Sequence, residues 1–192
     1  RRSSDLYSWG AETPLSNFEI RLDDATRPRQ DPALTVAFDL DPVDGDAEPL
    51  RILAWTTTPW TLPSNLALAV GPDLEYSIVA VDGARHVVGT ASLERYAPEL
   101  GAGEVVGTLR GADLVGRTYR PLFPYFADNP RSFRVLAGDF VDTTEGTGVV
   151  HLAPGFGEDD QRVCEAADIP LVVPVDEAGR FTAEVPDWAG VN

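Results

Sequence analysis

The chain has 192 residues, with 31 acidic against 15 basic side chains and a formal charge of −16. That length fits one large domain or two small ones, and a domain of this size buries roughly 70% of its unfolded surface, so its core needs no covalent staples. The charge repels nucleic acid at long range and argues against a basic groove tracking many phosphates; it leaves room for a pocket taking a single nucleotide presented by a larger protein.

One cysteine, Cys164, excludes an intrachain disulfide and suits a reducing compartment. It falls in a run that reads as helix and is expected to be a buried structural thiol, because a reactive one needs an electropositive setting. No apolar run approaches the roughly 20 residues of a membrane span, and no signal peptide is recognisable, so a cytoplasmic protein without membrane contact is expected. The absence of methionine in a chain beginning at Arg1 suggests a piece of a longer protein. Every basic residue is arginine, for which there is no physical account. Arg27, Arg29, Arg131 and Arg134 either rim a nucleotide pocket or are solvated loop charges.

The first fifty residues are rich in loops. Thr26 to Pro32 and Asp41 to Pro49 read as turns or linkers, and Leu34 to Leu40 between them alternates as a strand should. Strands follow at Leu50 to Trp55, Leu66 to Val70 and Tyr76 to Val81, the last turning at Asp82-Gly83 into His86 to Val88. His86 after this turn reads as solvated. Ser92 is positioned to cap a short helix starting at Leu93. Later strands are predicted at Glu104 to Leu109, Phe133 to Leu136, Gly148 to Leu152 and Leu171 to Val175, with a helix over Gly157 to Ala167 whose first turn is acidic. Many short strands and a few short helices predict a β-rich α+β fold, either a barrel or an α+β domain. Residues 1–49 read as an entry segment with loops and 50–192 as the core, together one domain.

Two segments carry chemistry. In Trp55-Thr56-Thr57-Thr58-Pro59-Trp60-Thr61-Leu62-Pro63, a strand ends in three hydroxyls and Pro59 stops it. Thr58-Pro59 has the chemistry of a helical N-cap and first position, and Pro63 limits the turn to about one revolution. This is either β-branched strand residues followed by a cap, or a cluster of hydroxyls suited to a ribose, a water or a carbonyl oxygen. In Gly146 to Asp160, a glycine-rich turn leads to a strand ending at His151, then a Pro-Gly loop and an acidic helix start. Asp160 suits either the helix dipole or a substrate ammonium group. His151 is either a satisfied strand-end histidine or a pocket residue. Two histidines and one cysteine cannot form a closed zinc site; a His-carboxylate metal site is the lesser alternative.

The runs WTTTPWTLPSN (Trp55 to Asn65) and GTGVVHLAPGFGEDD (Gly146 to Asp160) resemble the editing insertion of class I aminoacyl-tRNA synthetases for branched aliphatic amino acids. Thr13-Pro14-Leu15-Ser16 is similar to the segment entering that insertion, so the likeness runs from about Thr13 to the C-terminus. Valyl and leucyl members typically carry Arg after two Thr and an acidic residue after the Pro. Here Thr58 and Trp60 stand in those places, as in the isoleucyl branch. The HIGH-like and KMSKS-like motifs of the catalytic core are absent, so no amino-acid activation is expected of this segment alone.

The resemblance implies a β-barrel editing domain with short peripheral helices. It implies hydrolysis of the ester between valine and the 3′ end of mischarged tRNA(Ile), with valyl-adenylate as a further candidate substrate and the rest of the parent synthetase as partner; no cofactor is expected, and the shortage of His and Cys argues against a metal. It also implies the roles of residues: Asp160 on the α-ammonium, His151 lining the pocket and excluding isoleucine, and Thr56, Thr57 and Thr58 positioning the ester, adenosine or water. Trp60 and Asn65 support the pocket. One methylene gives only a modest preference for isoleucine over valine, a limit for which isoleucyl-tRNA synthetase is the standing illustration, so a second site must remove what passes. The alternatives are the editing domain of a valyl or leucyl enzyme, or a non-catalytic RNA-binding or interaction module.

Overall fold

The computed structural model describes residues 7–192 apart from 9, 17, 22–29, 45 and 47, so Arg27 and Arg29 lie outside the described residues. The chain divides into two units, residues 1–31 with 174–192, and residues 32–173. In the smaller unit β1 (Tyr7–Ser8) pairs antiparallel with β2 (Thr13–Pro14). Ser16 and Glu19 then form a reciprocal capping box: the Ser16 N–H donates to Glu19 Oε2 at 2.7 Å and the Glu19 N–H to Ser16 Oγ at 3.3 Å. Towards the C-terminus Val175 bridges Phe181, whose ring tilts against Trp188, and Val185 is fully buried.

The larger unit carries the remaining strands: β3 (Leu34–Asp39), β4 (Leu50–Thr56), β5 (Ala67–Val70), β6 (Glu75–Val81), β7 (Ala84–Gly89), β8 (Glu104–Arg110), β9 (Arg134–Ala137) and β10 (Val149–Leu152). Among them lie the helices α1 (Leu93–Leu100), α2 (Gly111–Leu114) and α3 (Glu158–Ala166). One sheet runs β3-β4-β7-β6-β8 and is antiparallel except where β4 pairs with β7; the other runs β10-β5-β9, with β5 and β9 parallel. The β-rich α+β class is therefore as read from the sequence, while the hydrogen-bond ladders among the described residues of the larger unit form two open sheets and close no ring.

Burial explains the strand patterns. β4 is buried at nearly every position because it packs on both faces: Ile52 and Ala54 belong to the main core with Phe38, Leu66, Leu68, Tyr76 and Leu152, whereas Leu53 joins Val79, Val88, Tyr96 and Leu100 beneath α1. Asp82 and Gly83 both take positive φ (51° and 75°), the combination that a two-residue hairpin with right-twisted strands requires. The Tyr76 hydroxyl accepts from the Gly71 N–H at 3.0 Å and donates to the Gly148 carbonyl at 2.6 Å, linking the strand ends of the two sheets. At Gly111 a Cβ would lie 2.0 Å from the Gly71 carbonyl oxygen, so this crossing admits only glycine.

Three expectations change. Leu171 to Val175 is no strand: Pro170 precedes it, Pro174 interrupts it, Leu171 and Val173 are exposed, and Val175 makes an isolated bridge to Phe181. Ser92 does not cap α1; its backbone is already helical, its hydroxyl is buried without a partner, and a 3-10 turn over Thr90–Ser92 leads in instead. The helix runs on to Leu100 through Pro98. His86 is not freely solvated: it is half-buried in β7 opposite Arg51, and burial followed by that neighbouring charge lowers its pKa.

Candidate functional site

The strand β4 ends at Thr56, and the chain turns at once because Pro59 has no N–H to continue the ladder. The 3-10 turn over Pro59–Ser64 follows, as the Thr58-Pro59 pair suggests, but Thr58 makes no side-chain cap. Its own N–H instead donates to Thr56 Oγ1 at 3.1 Å, and the two hydroxyls stand 3.5 Å apart. Thr56 is buried, whereas Thr57 and Thr58 are exposed. Facing this turn, β10 pairs with β5 so that His151 sits opposite Leu68.

The Ala153-Pro154-Gly155-Phe156 turn leads from β10 into α3. Asp160, in the first turn of α3, folds back over it and accepts the Ala153 N–H on Oδ2 at 2.9 Å. Gly157 makes room for this: a Cβ there would lie 2.8 Å from the Asp160 carboxyl carbon. Burial first of all, with Asp159 adding to it, raises the Asp160 pKa, against the lowering effect of the Ala153 N–H.

These elements enclose an open pocket of about 340 Å³, lined by Trp55, Thr56, Thr57, Thr58, Trp60, Thr61, Val150, His151, Ala153, Phe156 and Asp160. All three threonines of the run, His151, Asp160 and Trp60 thus meet in one cavity. Trp60 is half exposed and stands edge-on to Phe156, ring centroids 5.0 Å apart. Asn65 does not line the cavity. It is buried behind it, donating to the Ala67 carbonyl at 2.8 Å and accepting from the Tyr119 hydroxyl at 2.6 Å, and so ties the start of β5 to the core. Nor do Arg131 and Arg134 rim the pocket: Arg131 is paired with Asp168, and Arg134 belongs to β9. A larger cavity of about 500 Å³ lies elsewhere, around Leu40, Pro49 and Gly83. Its Asp39 is paired with Arg51 and its Glu48 with Arg85, so its charges are already engaged.

Thr61, Trp55 and Phe156 are pocket residues that the sequence reading leaves out. Thr61 is the informative one. Its hydroxyl donates to the Thr58 carbonyl at 2.9 Å and lies 2.9 Å from His151 Nε2. A carbonyl only accepts and a hydroxyl has one hydrogen, so His151 Nε2 must be the donor to Thr61, which leaves Nδ1 as the bare acceptor. That Nδ1 is buried with no partner. His151 is only 7% exposed, and burial lowers its pKa to about 4, so the ring is neutral at pH 7. A serine or threonine-type hydroxyl three residues beyond a turn residue commonly bonds back to that carbonyl, and this was the available local signal for Thr61.

The buried imidazole sets a stability prediction. Its folded pKa lies below the unfolded value of 6.5, so the unfolded chain binds the proton more tightly. The contribution is complete above about pH 6.5 and is lost as pH falls towards 4. Stability against equilibrium unfolding should therefore fall by about 3 kcal/mol more between pH 7 and pH 4 in the parent than in His151→Gln. An equal loss in both proteins would show that the fold does not exclude the proton from His151.

No family model matches the chain. Among curated proteins it is 53% identical to the isoleucine–tRNA ligase of Rickettsia africae and 50% identical to that of Rickettsia felis, in each case over 97% of its own length. The chain is homologous, over almost all of its length, to one segment of isoleucine–tRNA ligases. It spans 18–19% of the length of these relatives and is one segment of such a protein. Among solved structures it is similar to GlLeuRS-CP1, with a TM-score of 0.59 and 18% identity over 73% of this chain and 66% of that one. It is also similar to the Plasmodium falciparum cytosolic leucyl-tRNA synthetase editing domain, with a TM-score of 0.50 and 13% identity over 63% and 47% of the two chains. At such identities the isoleucine–tRNA ligase segment shares with them its fold. No helix among the described residues is long and apolar enough to cross a membrane.

Proposed function

We propose that this segment is the proofreading hydrolase of a cytoplasmic isoleucyl-tRNA synthetase, its two sheets acting together as a barrel-like platform for the site. Its substrate is then valine esterified to the 3′-terminal adenosine of tRNA(Ile), with valyl-adenylate as a second candidate. The observation that carries this reading is the convergence of the threonine run, His151 and Asp160 on one small cavity, in a chain half identical to isoleucine–tRNA ligases. That identity favours the isoleucyl reading over the valyl or leucyl one.

In this reading the Asp160 carboxylate holds the α-ammonium, the neutral His151 ring bounds the side-chain subsite, and Thr56, Thr57 and Thr58 hold the ester, the adenosine or the attacking water. Trp60 flanks the cavity mouth, and Asn65 supports the site from behind. Water oxygen bonds to the ester carbonyl carbon, the bond from that carbon to the ribose oxygen breaks, and the ribose oxygen takes a proton. Valine and uncharged tRNA leave. A covalent route is disfavoured by the nucleophiles on hand. Burial pushes the Cys164 thiol up to about 12, far from the thiolate form that attacks at pH 7.

Two histidines, one of them engaged with Thr61, and one buried thiol are a poor donor set for a metal. The purified chain should release valine from Val-tRNA(Ile) at a rate unaffected by EDTA. Activity abolished by EDTA and restored by one divalent ion would overturn the metal-free mechanism. No release of valine, with tRNA still bound, would favour a non-catalytic module.

A further inference from the structure

Arg95, on the exposed side of α1, donates Nη1 to the Gly146 carbonyl at 2.9 Å and to the Thr143 carbonyl at 3.5 Å, and Nη2 to the Thr144 carbonyl at 2.6 Å. One guanidinium thus gathers three carbonyls of a single loop, which a fixed planar fork does and a point charge does not. The loop is wound tightly from within, since Asp142 Oδ1 accepts both the N–H and the hydroxyl of Thr144. It ends in Gly146 and Gly148, both at positive φ. Gly146 packs closely against Trp55: a Cβ there would sit 2.9 Å from ring atom Cε3. Trp55 in turn lines the pocket, and the same loop feeds β10 and His151.

We propose that Arg95 is a positioning residue for the pocket, holding the loop 143–146 against Trp55 so that one wall of the cavity is fixed from outside it. This rests on the proofreading reading for its effect on specificity, but not for its effect on Trp55. Arg95 touches no lining residue itself by any of these bonds; its action passes through the loop backbone.

The test uses Arg95→Ala and Arg95→Lys in the intact chain labelled with 5-fluorotryptophan, the Trp55 fluorine signal being assigned by Trp55→Phe. In Arg95→Ala the Trp55 signal should shift while that of Trp188, in the other unit, stays. The ratio of deacylation on Ile-tRNA(Ile) to Val-tRNA(Ile) should change by about 2- to 30-fold, the span typical of effects passed through neighbouring packed groups. Millimolar guanidinium ion should move both readouts back in Arg95→Ala, and Arg95→Lys should fall between parent and Ala. A lowered melting temperature with an unmoved Trp55 signal would overturn the proposal, as would a shifted signal with an unchanged ratio. If the parent chain releases no valine, it is the proofreading reading that fails, and the Trp55 signal with its rescue by guanidinium still decides whether Arg95 positions the wall.

Discussion

Asp160→Asn should abolish most deacylation while leaving the fold as stable as the parent or more so. The side chain keeps its shape and retains an oxygen to accept the Ala153 N–H, so what is removed is the charge. Truncating one partner of a buried hydrogen-bonded charge pair typically costs about 2–5 kcal/mol, which corresponds to a loss of about 30- to 5,000-fold in kcat/KM on Val-tRNA(Ile). The stability side has the opposite sign. The folded pKa of Asp160 is raised, chiefly by burial, so its contribution favours the fold below the unfolded pKa and is lost as pH rises through the folded value. At pH 7 the buried carboxylate is therefore a burden on the fold.

The same shift fixes the pH profile: kcat/KM should fall on the acid side at a pH above the ordinary aspartate value of about 3.9, because a protonated Asp160 offers no charge to the ammonium. Deacylation rates and thermal melting of the Asn variant, measured together at pH 7, decide the matter. Near-parental rates would remove Asp160 from the site, and equal loss of rate and melting temperature would make it structural.

His151→Ala should relax specificity more than it slows the reaction. On the proposed proofreading function the site must accept valine and refuse one more methylene, yet burying a methylene is favourable by about 0.8 kcal/mol, so an open apolar pocket would take isoleucine. Refusal needs a rigid body in the way. His151 has that character: its ring is buried, its Nε2 is locked to Thr61, and its strand is held in register against β5. A single methylene is worth about 1–3 kcal/mol in such a pocket, a span that isoleucyl-tRNA synthetases themselves illustrate. The ratio of Ile-tRNA(Ile) to Val-tRNA(Ile) deacylation should accordingly rise by about 10- to 200-fold. General-base catalysis is the competing role, and it calls for a pKa near the working pH. Burial has lowered that of His151 to about 4, which makes it a weak base. Both rates reduced at an unchanged ratio would nevertheless identify it as the base.

The fold was legible where burial follows a local period. In β3, buried Phe38 and the adjoining Leu40 continue the alternation begun at Leu34 and Val36, and Asp82-Gly83 announces its hairpin. It was illegible where a distant backbone dictates the residue. Gly111 opens the four-residue helix α2 because the Gly71 carbonyl passes beside it, a fact absent from the sequence around either position. The apolar run after Pro170 looked like a strand because apolar character alone does not reveal that no neighbour awaits it.

For the site, residue types and their two motifs brought the threonines, His151 and Asp160 to notice. They could not separate Asn65 from them, because a polar residue in a motif reads alike whether it faces a cavity or bonds to Tyr119 and strand carbonyls behind one. Thr61 was missed for the converse reason: its partner His151 is 90 positions away.

That separation bears on how the molecule comes into being. The five-stranded sheet contains a hairpin, β6 with β7, that can zip locally, whereas β5 pairs only with β9 and β10, both distant along the chain. Closing long loops adds little to the thermodynamic penalty, about 0.6 kcal/mol for each doubling, but pairings between remote segments slow the approach to the native state. The three-stranded sheet, and with it the meeting of Thr61 and His151, is thus expected to form late in folding. A chain emerging from the ribosome presents its threonine run long before the strand that completes the cavity, and a chain cut anywhere between residues 61 and 151 retains half of the pocket in each piece and the whole of it in neither.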